Sequence, residues 1–345
     1  MDAHTGFSAR LRTCAACFAR VCATFLLAAC STRQNALEPA SIYARRVAHL
    51  GWLFFITCGV VYIIVIVLAL VAAFRNRPNG APDITPNSER RTGRIVTGGV
   101  AATLAILLVF LVASFVVGHD VGGVAPGDAL VIDVTGHQWW WEVRYEDSIP
   151  QRMATTANEV HIPVGRRVLL HLKSSDVIHS FWVPNLNGKR DLIPGHTTSL
   201  FLRADHAGTY RGQCAEFCGL QHAHMSMLVI AEPVDKFNAW LAHERQEAPP
   251  PADSIQMRGQ NVFLTSSCVM CHAIAGSPAG AHLGPDLTHV AERRTIAAGT
   301  LPNHKGSLAG WIVNAQSIKP GALMPDNQLD PEDLQALLVY LENLK

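Results

Sequence analysis

Cys214, Cys218, His222 and Met225 fall within one short stretch, GQCAEFCGLQHAHM at residues 212–225, together with Glu216 and His224. A disulfide between the two cysteines would explain neither His222 nor Met225. Thiolate, imidazole and thioether together form a soft ligand set that suits copper, whereas magnesium or calcium would call for carboxylates. The stretch therefore asks for a metal and for a further ligand from elsewhere in the chain. A second cluster, CVMCH at residues 268–272, is the pattern by which haem is attached through two thioethers, with the adjacent histidine as axial ligand. A zinc half-site is the alternative for five residues alone.

Composition bounds what can surround these clusters. A chain of 345 residues has room for two compact domains plus extra segments. Hydrophobic residues make up 49% and charged residues only 16%, which leans towards a membrane. Lys and Arg number 28 against 27 Asp and Glu and are scattered, so no basic nucleic-acid footprint is present. The nine cysteines are odd in number and fall in unrelated groups, which argues against a disulfide framework.

The elements that must position the clusters can be read along the chain. Arg10, Arg12 and Arg20 precede the short apolar run VCATFLLAA, as in an exported leader. The run ends in Leu27-Ala28-Ala29-Cys30, which resembles a bacterial lipobox and predicts removal of residues 1–29 and lipidation of Cys30. An ordinary leader cut after small residues is the alternative, and Cys14 and Cys17 precede either cut. Residues 50–74 and 95–118 are free of charge. Each is about 36 Å long as helix, enough to cross a hydrocarbon core of about 30 Å. The loop between them carries five arginines, so it faces the cytoplasm and both ends face outward. Residues 40–118 thus read as a transmembrane hairpin.

From about residue 128, short β-rich runs such as ALVIDVT, RRVLLHL and TTSLFLRA alternate with turn residues, the rhythm of a sandwich or barrel. HERQEAPPPADS interrupts it, and residues 244–254 read as a Pro-rich linker. Helical signals follow: Asp330-Pro331-Glu332-Asp333 supplies a cap, an N1 proline and first-turn acids ahead of LQALLVYLENL. Residues 119–243 and 255–345 are therefore expected to form a β domain and an all-α domain.

CVMCH, GPDL at 284–287 and LMPDN at 323–327 resemble the pattern of class I cytochromes c. The resemblance implies a haem c bound to Cys268 and Cys271. His272 would be an axial ligand supported by the Pro285 carbonyl, and Met324 the sixth ligand; Met257 and Met270 are the domain's other methionines. GHQWWWEVRY, SSDVIHSFWVPNLNGKRDLIPG and GQCAEFCGLQHAHM, in that order after a two-helix hairpin, resemble subunit II of haem-copper cytochrome c oxidases over residues 40–240. The fused haem domain matches the bacterial branch that carries cytochrome c on this subunit.

That resemblance implies a multidomain membrane protein whose residues 119–243 form a cupredoxin-like Greek-key β-sandwich. It implies a binuclear copper centre, CuA, held by His179, Cys214, Cys218, His222, Met225 and the backbone carbonyl of Glu216, the family's spacing selecting His222 over His224. The Glu216 side chain would reach a magnesium or manganese at the contact with subunit I. Trp139 falls where electrons from cytochrome c enter, and Asp176 and Asp191 match acidic positions near the copper domain. The implied function is to pass electrons from cytochrome c, through the chain's own haem c and CuA, to the oxygen-reducing site of subunit I. Oxidase subunits I and III and cytochrome c or another small redox protein are the expected partners. The expected location is the bacterial inner membrane, multi-pass, with both redox domains on the periplasmic face. The electron-accepting subunit of a CuA-containing nitric oxide reductase and a copper-delivery lipoprotein are the competing readings. A quinol oxidase is disfavoured because that branch lacks the copper ligands. The linker is expected to act as a tether that keeps the haem domain near the copper.

Overall fold

The computed structural model of the chain describes residues 34–75, 86–121, 129–147, 149 and 153–345. The leader, Cys14, Cys17, the lipidation candidate Cys30 and Arg77 lie outside the described residues. Two long helices come first, α1 (Ile42–Phe74) and α2 (Pro86–Val121). Both are apolar all round over most of their length, and Phe55, Leu68, Leu111 and Phe115 are exposed, as suits a lipid-facing surface. Phe54 and Phe110 stack at 3.9 Å between the two helices.

Both helices start earlier than their apolar runs. At α1 the Ser41 side chain accepts from the Tyr43 and Ala44 amides, and its hydroxyl donates to the Leu186 carbonyl. Ala40 N–H donates to Asn185 O at 2.8 Å, Asp205 N–H to Ala40 O at 2.9 Å, and Arg45 pairs with Asp205 at 2.8 Å. The first turns of α1 are thus seated on the β domain, with Tyr43 and Ala44 buried. At α2 an N1 proline and Glu89 in the first turn start the helix inside the arginine-rich stretch. Arg90, Arg91 and Arg94 are therefore helical rather than part of the loop.

The β domain is built from two five-stranded sheets. One has the order β3 (Ala154–Ala157), β2 (Trp140–Tyr145), β1 (Leu130–His137), β5 (Val168–Ser174), β8 (Thr198–Leu202). The other runs β4 (Glu159–Pro163), β10 (Ser226–Glu232), β9 (Gly208–Cys214), β6 (His179–Trp182), β7 (Arg190–Leu192). Inward residues alternate along the strands, so Ile132, Val134, Leu170, Phe181 and Val229 of both sheets share one core. The β1–β5 and β4–β10 pairs are parallel and the others antiparallel, so the chain crosses between layers, and the expected cupredoxin-like sandwich is present. Helix α3 (Val234–Glu244) closes it, with Trp240 stacked on His161 at 3.9 Å.

The remaining helices, α4 (Ser254–Thr265), α5 (Lys305–Val313), α6 (Ala315–Ile318) and α7 (Pro331–Glu342), enclose a second core around Phe263, Ile274, Ile312 and Leu341. Asp253 caps α4 by accepting from Ile255 N and Gln256 N. A short hairpin pairs β11 (Thr295–Ile296) with β12 (Leu301–Pro302). The stretch read as a linker is strapped to this domain: Ala248 N–H donates to Ala275 O at 3.0 Å, and His289 Nε2 lies 3.1 Å from Gln246 O. Polar, Pro-rich composition does not distinguish a free tether from a segment that follows a surface.

Candidate copper centre and haem pocket

The copper candidates are brought together by the ends of β6 and β9 and the loop that follows. Phe181 pairs with Cys214 across the ladder, Cys214 N–H donates to Met225 O at 2.8 Å, and Ala215 N–H donates to Ser180 O at 3.0 Å. This folds the loop back so that Met225 returns beside Cys214. The sulfurs of Cys214 and Cys218 are 3.8 Å apart, and both cysteines are free. Around Cys214 Sγ lie His179 Nδ1 at 3.9 Å and the Glu216 carbonyl at 3.2 Å. Around Cys218 Sγ lie His222 Nδ1 at 3.7 Å and Met225 Sδ at 3.9 Å. Each thiol thus has its own pair of partners, and the set is two-lobed about the thiol pair.

His179, Cys214, Cys218 and Met225 are buried, and His222 and Glu216 are half-buried at the rim. The hydrogen bond from Cys218 holds the Cys214 thiol far below its ordinary value, and the same contact pushes Cys218 up. His179 is oriented from behind: its Nε2 lies 2.8 Å from Asp176 Oδ1, leaving Nδ1 to face the sulfurs. Burial alone would lower His179, but the hydrogen bonds to Cys214 and Asp176 outweigh it and raise its pKa. Asp176 also accepts from the Gln138 amide at 2.7 Å, so it faces inward to the site. Gly136 lets the ring in, because a Cβ there would stand 2.8 Å from His179 Cδ2.

His224 turns away, with Nδ1 2.8 Å from Gln221 Oε1, so His222 is the imidazole that faces the thiols. The Glu216 carboxylate pairs with Lys189 Nζ at 3.3 Å at the surface. Asp191 lies on β7 opposite Ser180. The three tryptophans divide by strand alternation. Trp141 is core, edge-on to His179 at 6.0 Å, and Trp140 stacks on His137 at 4.3 Å. Trp139 donates its indole N–H to the Cys218 carbonyl at 2.9 Å, and Gln138 Nε2 donates to the same oxygen at 2.8 Å.

The haem candidates line one cavity of about 430 Å³, which Cys268, Cys271, His272 and Met324 share. His272 Nδ1 lies 2.7 Å from the Pro285 carbonyl, which turns Nε2 inward. Burial lowers the pKa of His272, favouring the neutral ring. Gly284 is packed against that ring, a Cβ there standing 2.7 Å from His272 Cε1. Gln316 Nε2 donates to Met324 O at 2.7 Å and steadies the methionine loop. Met257 and Met270 are exposed and do not line the cavity. Arg293 Nε and Thr295 Oγ1 are buried without a partner in residues that line it, so the lining suits a large apolar group with an anionic edge.

Trp139, Gln138 and Asn158 of the β domain line the same cavity. Lys319, 2% exposed, donates to Trp139 O at 2.7 Å and to Ala297 O at 3.1 Å. Gln221 Nε2 donates to Pro320 O at 2.8 Å, and Arg294 N–H donates to Glu159 Oε1 at 2.7 Å. None of Gln138, Lys319, Gln221 or Arg293 stood out in the sequence, because their partners are backbone groups or belong to the other domain.

The family described as cytochrome c oxidase subunit II, periplasmic domain, matches residues 148–232, and the cytochrome c family matches residues 256–345. Cytochrome c oxidase subunit 2 of Alkalihalophilus pseudofirmus is 36% identical over 333 residues, covering 93% of this chain and 94% of that protein. The Bacillus subtilis subunit 2 is 32% identical over 237 residues, 66% of this chain and 65% of that protein. The crystal structure of the periplasmic domain of subunit II of cytochrome oxidase from Bradyrhizobium japonicum is 28% identical. It covers 35% of this chain and 97% of its own, with a TM-score of 0.33. Likeness that runs through the hairpin, the thiol loop and the haem pocket of one relative leaves a single conclusion: the chain belongs to the cytochrome c oxidase subunit 2 family.

Proposed function

We propose that this subunit accepts electrons at a haem c held by residues 255–345. From there they pass to a CuA centre held by residues 119–243 and on to the oxygen-reducing site of subunit I. As a member of its family the chain is part of an oxidoreductase complex, binds copper and haem, and works with other oxidase subunits and a redox donor. Its two apolar helices make it a membrane protein. The observation that carries the route is the shared cavity: Trp139 lines it together with Cys268, Cys271, His272 and Met324, and donates to Cys218 O at 2.9 Å.

The residues divide the work. His179, Cys214, Cys218, His222, Met225 and the Glu216 carbonyl hold the copper pair, while Asp176 and Gln138 fix the orientation of His179 and the Cys218 carbonyl. When bound, copper there would supply a one-electron acceptor, with Cys214 and Cys218 as its thiolate ligands. Cys268 and Cys271 would anchor the haem, and His272, oriented by Pro285, and Met324, on a loop steadied by Gln316, would bind its iron. Arg293 Nε and Thr295 Oγ1 would offer donors to its propionates. Their burial excludes water, which keeps the surroundings from reorganising when charge moves.

Trp139 is 8% exposed beneath residues of the haem domain. An outside donor, cytochrome c or another small redox protein, therefore delivers to the haem rather than to Trp139. The Glu216 carboxylate, at the surface beside Lys189, is free to reach a magnesium or manganese shared with subunit I. The arginines flanking residues 76–85 favour a cytoplasmic side for that stretch, with both redox domains on the periplasmic face of a bacterial inner membrane. Subunit III and a lipidated Cys30 complete the proposed assembly. The test is metal analysis and paramagnetic resonance of the purified complex, with oxygen and nitric oxide consumption measured in parallel. A mixed-valence copper signal, one covalent haem per chain and oxygen consumption are expected. A single exchangeable copper, or turnover of nitric oxide alone, would overturn it.

A further inference from the structure

We infer that the haem domain is locked onto the copper domain rather than merely tethered to it, with Lys319 as the positioning residue that fixes its loop against Trp139. This rests on the haem-to-copper route proposed above. Lys319 lies five residues before Met324, and its Nζ donates to the Trp139 and Ala297 carbonyls at 2.7 and 3.1 Å, at 2% exposure. The next residue, Pro320, accepts from Gln221, the neighbour of His222. One short loop of the haem domain therefore touches both segments that shape the copper site and continues into the haem pocket.

The far end of the seam is equally defined. Arg294 donates through its amide to Glu159 and through Nη1 to Thr209 Oγ1 at 2.5 Å. Ser226 donates to Ala298 O from both its amide, at 3.0 Å, and its hydroxyl, at 2.9 Å. Ala297 and Ala298 have φ of 53° and 55°, the left-handed region. That backbone costs a residue bearing a Cβ on the order of 1 kcal/mol and persists only where surroundings hold it. Here the Ala298 carbonyl is held across the seam by Ser226, and the Ala297 carbonyl from its own domain by Lys319.

A buried lysine with carbonyl partners is a costly way to gain adhesion, since apolar packing would serve as well. What it adds is register, because its two acceptors fix where the loop sits over Trp139. If the domains parted, Lys319 would lose the Trp139 carbonyl, Glu159 the Arg294 amide and Ser226 the Ala298 carbonyl together. The strapped stretch at residues 246–248 likewise leaves little slack for a search.

The test uses the purified oxidase with a protease site inserted beside Ala252, in the wild-type background and with Lys319→Met. In the uncut wild type, transfer from ferrous haem to oxidised copper moves one electron with no bond or proton changed, and its rate should not vary with solvent viscosity. After cutting, the haem domain should stay on the complex through dilution and the rate should hold. In Lys319→Met, haem bands and the copper resonance should be unchanged, while transfer slows and becomes viscosity-dependent. Retention after cutting should fall about tenfold or more, the cost of leaving the buried Trp139 carbonyl without its donor. Dilution-dependent transfer in the cut wild type would restore the tether. A Lys319→Met oxidase that behaves as wild type, cut and uncut, would remove Lys319 from the role. If the variant fails to assemble, the cut wild type still decides between lock and tether. Failure of the route itself looks different: haem that stays ferrous beside oxidised copper in the uncut wild type.

Discussion

The copper site and the haem pocket are two answers to the problem of holding a metal in one chain. At the copper site the backbone does the positioning: the β6–β9 ladder places His179 and Cys214, and the Cys214–Met225 hydrogen bond returns the loop. Its donors come within a few ångströms of one another through the protein's own bonds. In the haem pocket the candidate ligands stand on loops around an open volume of about 430 Å³, with helices α4, α5 and α7 behind them. At one site backbone hydrogen bonds set the donors, whereas at the other side chains line the volume that a cofactor would fill.

The largest test of that contrast is to withhold the haem. With Cys268 and Cys271 both changed to Ser, the cavity of about 430 Å³ forfeits up to roughly 10 kcal/mol at about 24 cal/mol per Å³. That is comparable to a whole domain's stability. Limited proteolysis should then digest residues 255–345 and spare the β-sandwich, and a protected haem-less domain would break the comparison. Cys214→Ser or Cys218→Ser goes the other way. Either should abolish the shared-electron copper signal while the sandwich melts within about 1 to 2 kcal/mol of wild type, because the ladder remains.

A smaller effect is expected at Met324→Ala, where the thioethers keep the haem in place but the methionine-to-iron absorption band should vanish. A band that survives would move the sixth ligand elsewhere. Next is Glu244, buried where α3 meets the haem domain, whose carboxyl burial raises to about 7 against the pull of Arg293, His161 and Thr156, with Asp286 adding to the rise. Since the folded value lies above the ordinary 4.5, the stabilisation is full below about pH 4.5 and is lost as pH rises through about 7. Glu244→Gln should flatten that loss, on the order of 3 kcal/mol, in denaturant titrations of the detergent-solubilised chain at acid and neutral pH. The smallest is Ala298→Gly, which should relieve left-handed strain and raise stability by about 1 kcal/mol or less. A loss there would mean that the methyl group packs usefully at the seam.

The same contrast governs what could be read in advance. Five of the copper-site groups lie within residues 214–225, because one strand end and one tight loop supply them, so their types and spacing were visible at once. The hairpin was legible from two long charge-free runs, though its helix starts were not. Ser41 and Pro86 set those starts, and caps lie outside any apolar pattern. The seam left no trace in the sequence: Lys319 finds backbone carbonyls, which have no residue identity to match, and Glu159 finds the Arg294 amide. The contacts of residues 246–248 escaped notice for a related reason. A proline-rich strand that follows a surface and one that floats have the same composition.

The seating of the first turns of α1 on the β domain has a mechanical consequence. Ser41, Ala40 and Arg45 bolt the N-terminal end of a 33-residue helix to the loops carrying Asn185, Leu186 and Asp205. That helix is a rod of about 50 Å at about 1.5 Å per residue. The copper site therefore rides on a stalk of fixed length and azimuth, and its height above the bilayer is encoded in the number of residues between Ser41 and the apolar run. Adding one residue there would lift it by about 1.5 Å and swing it by about 100°, enough to aim it away from a partner it otherwise meets face to face.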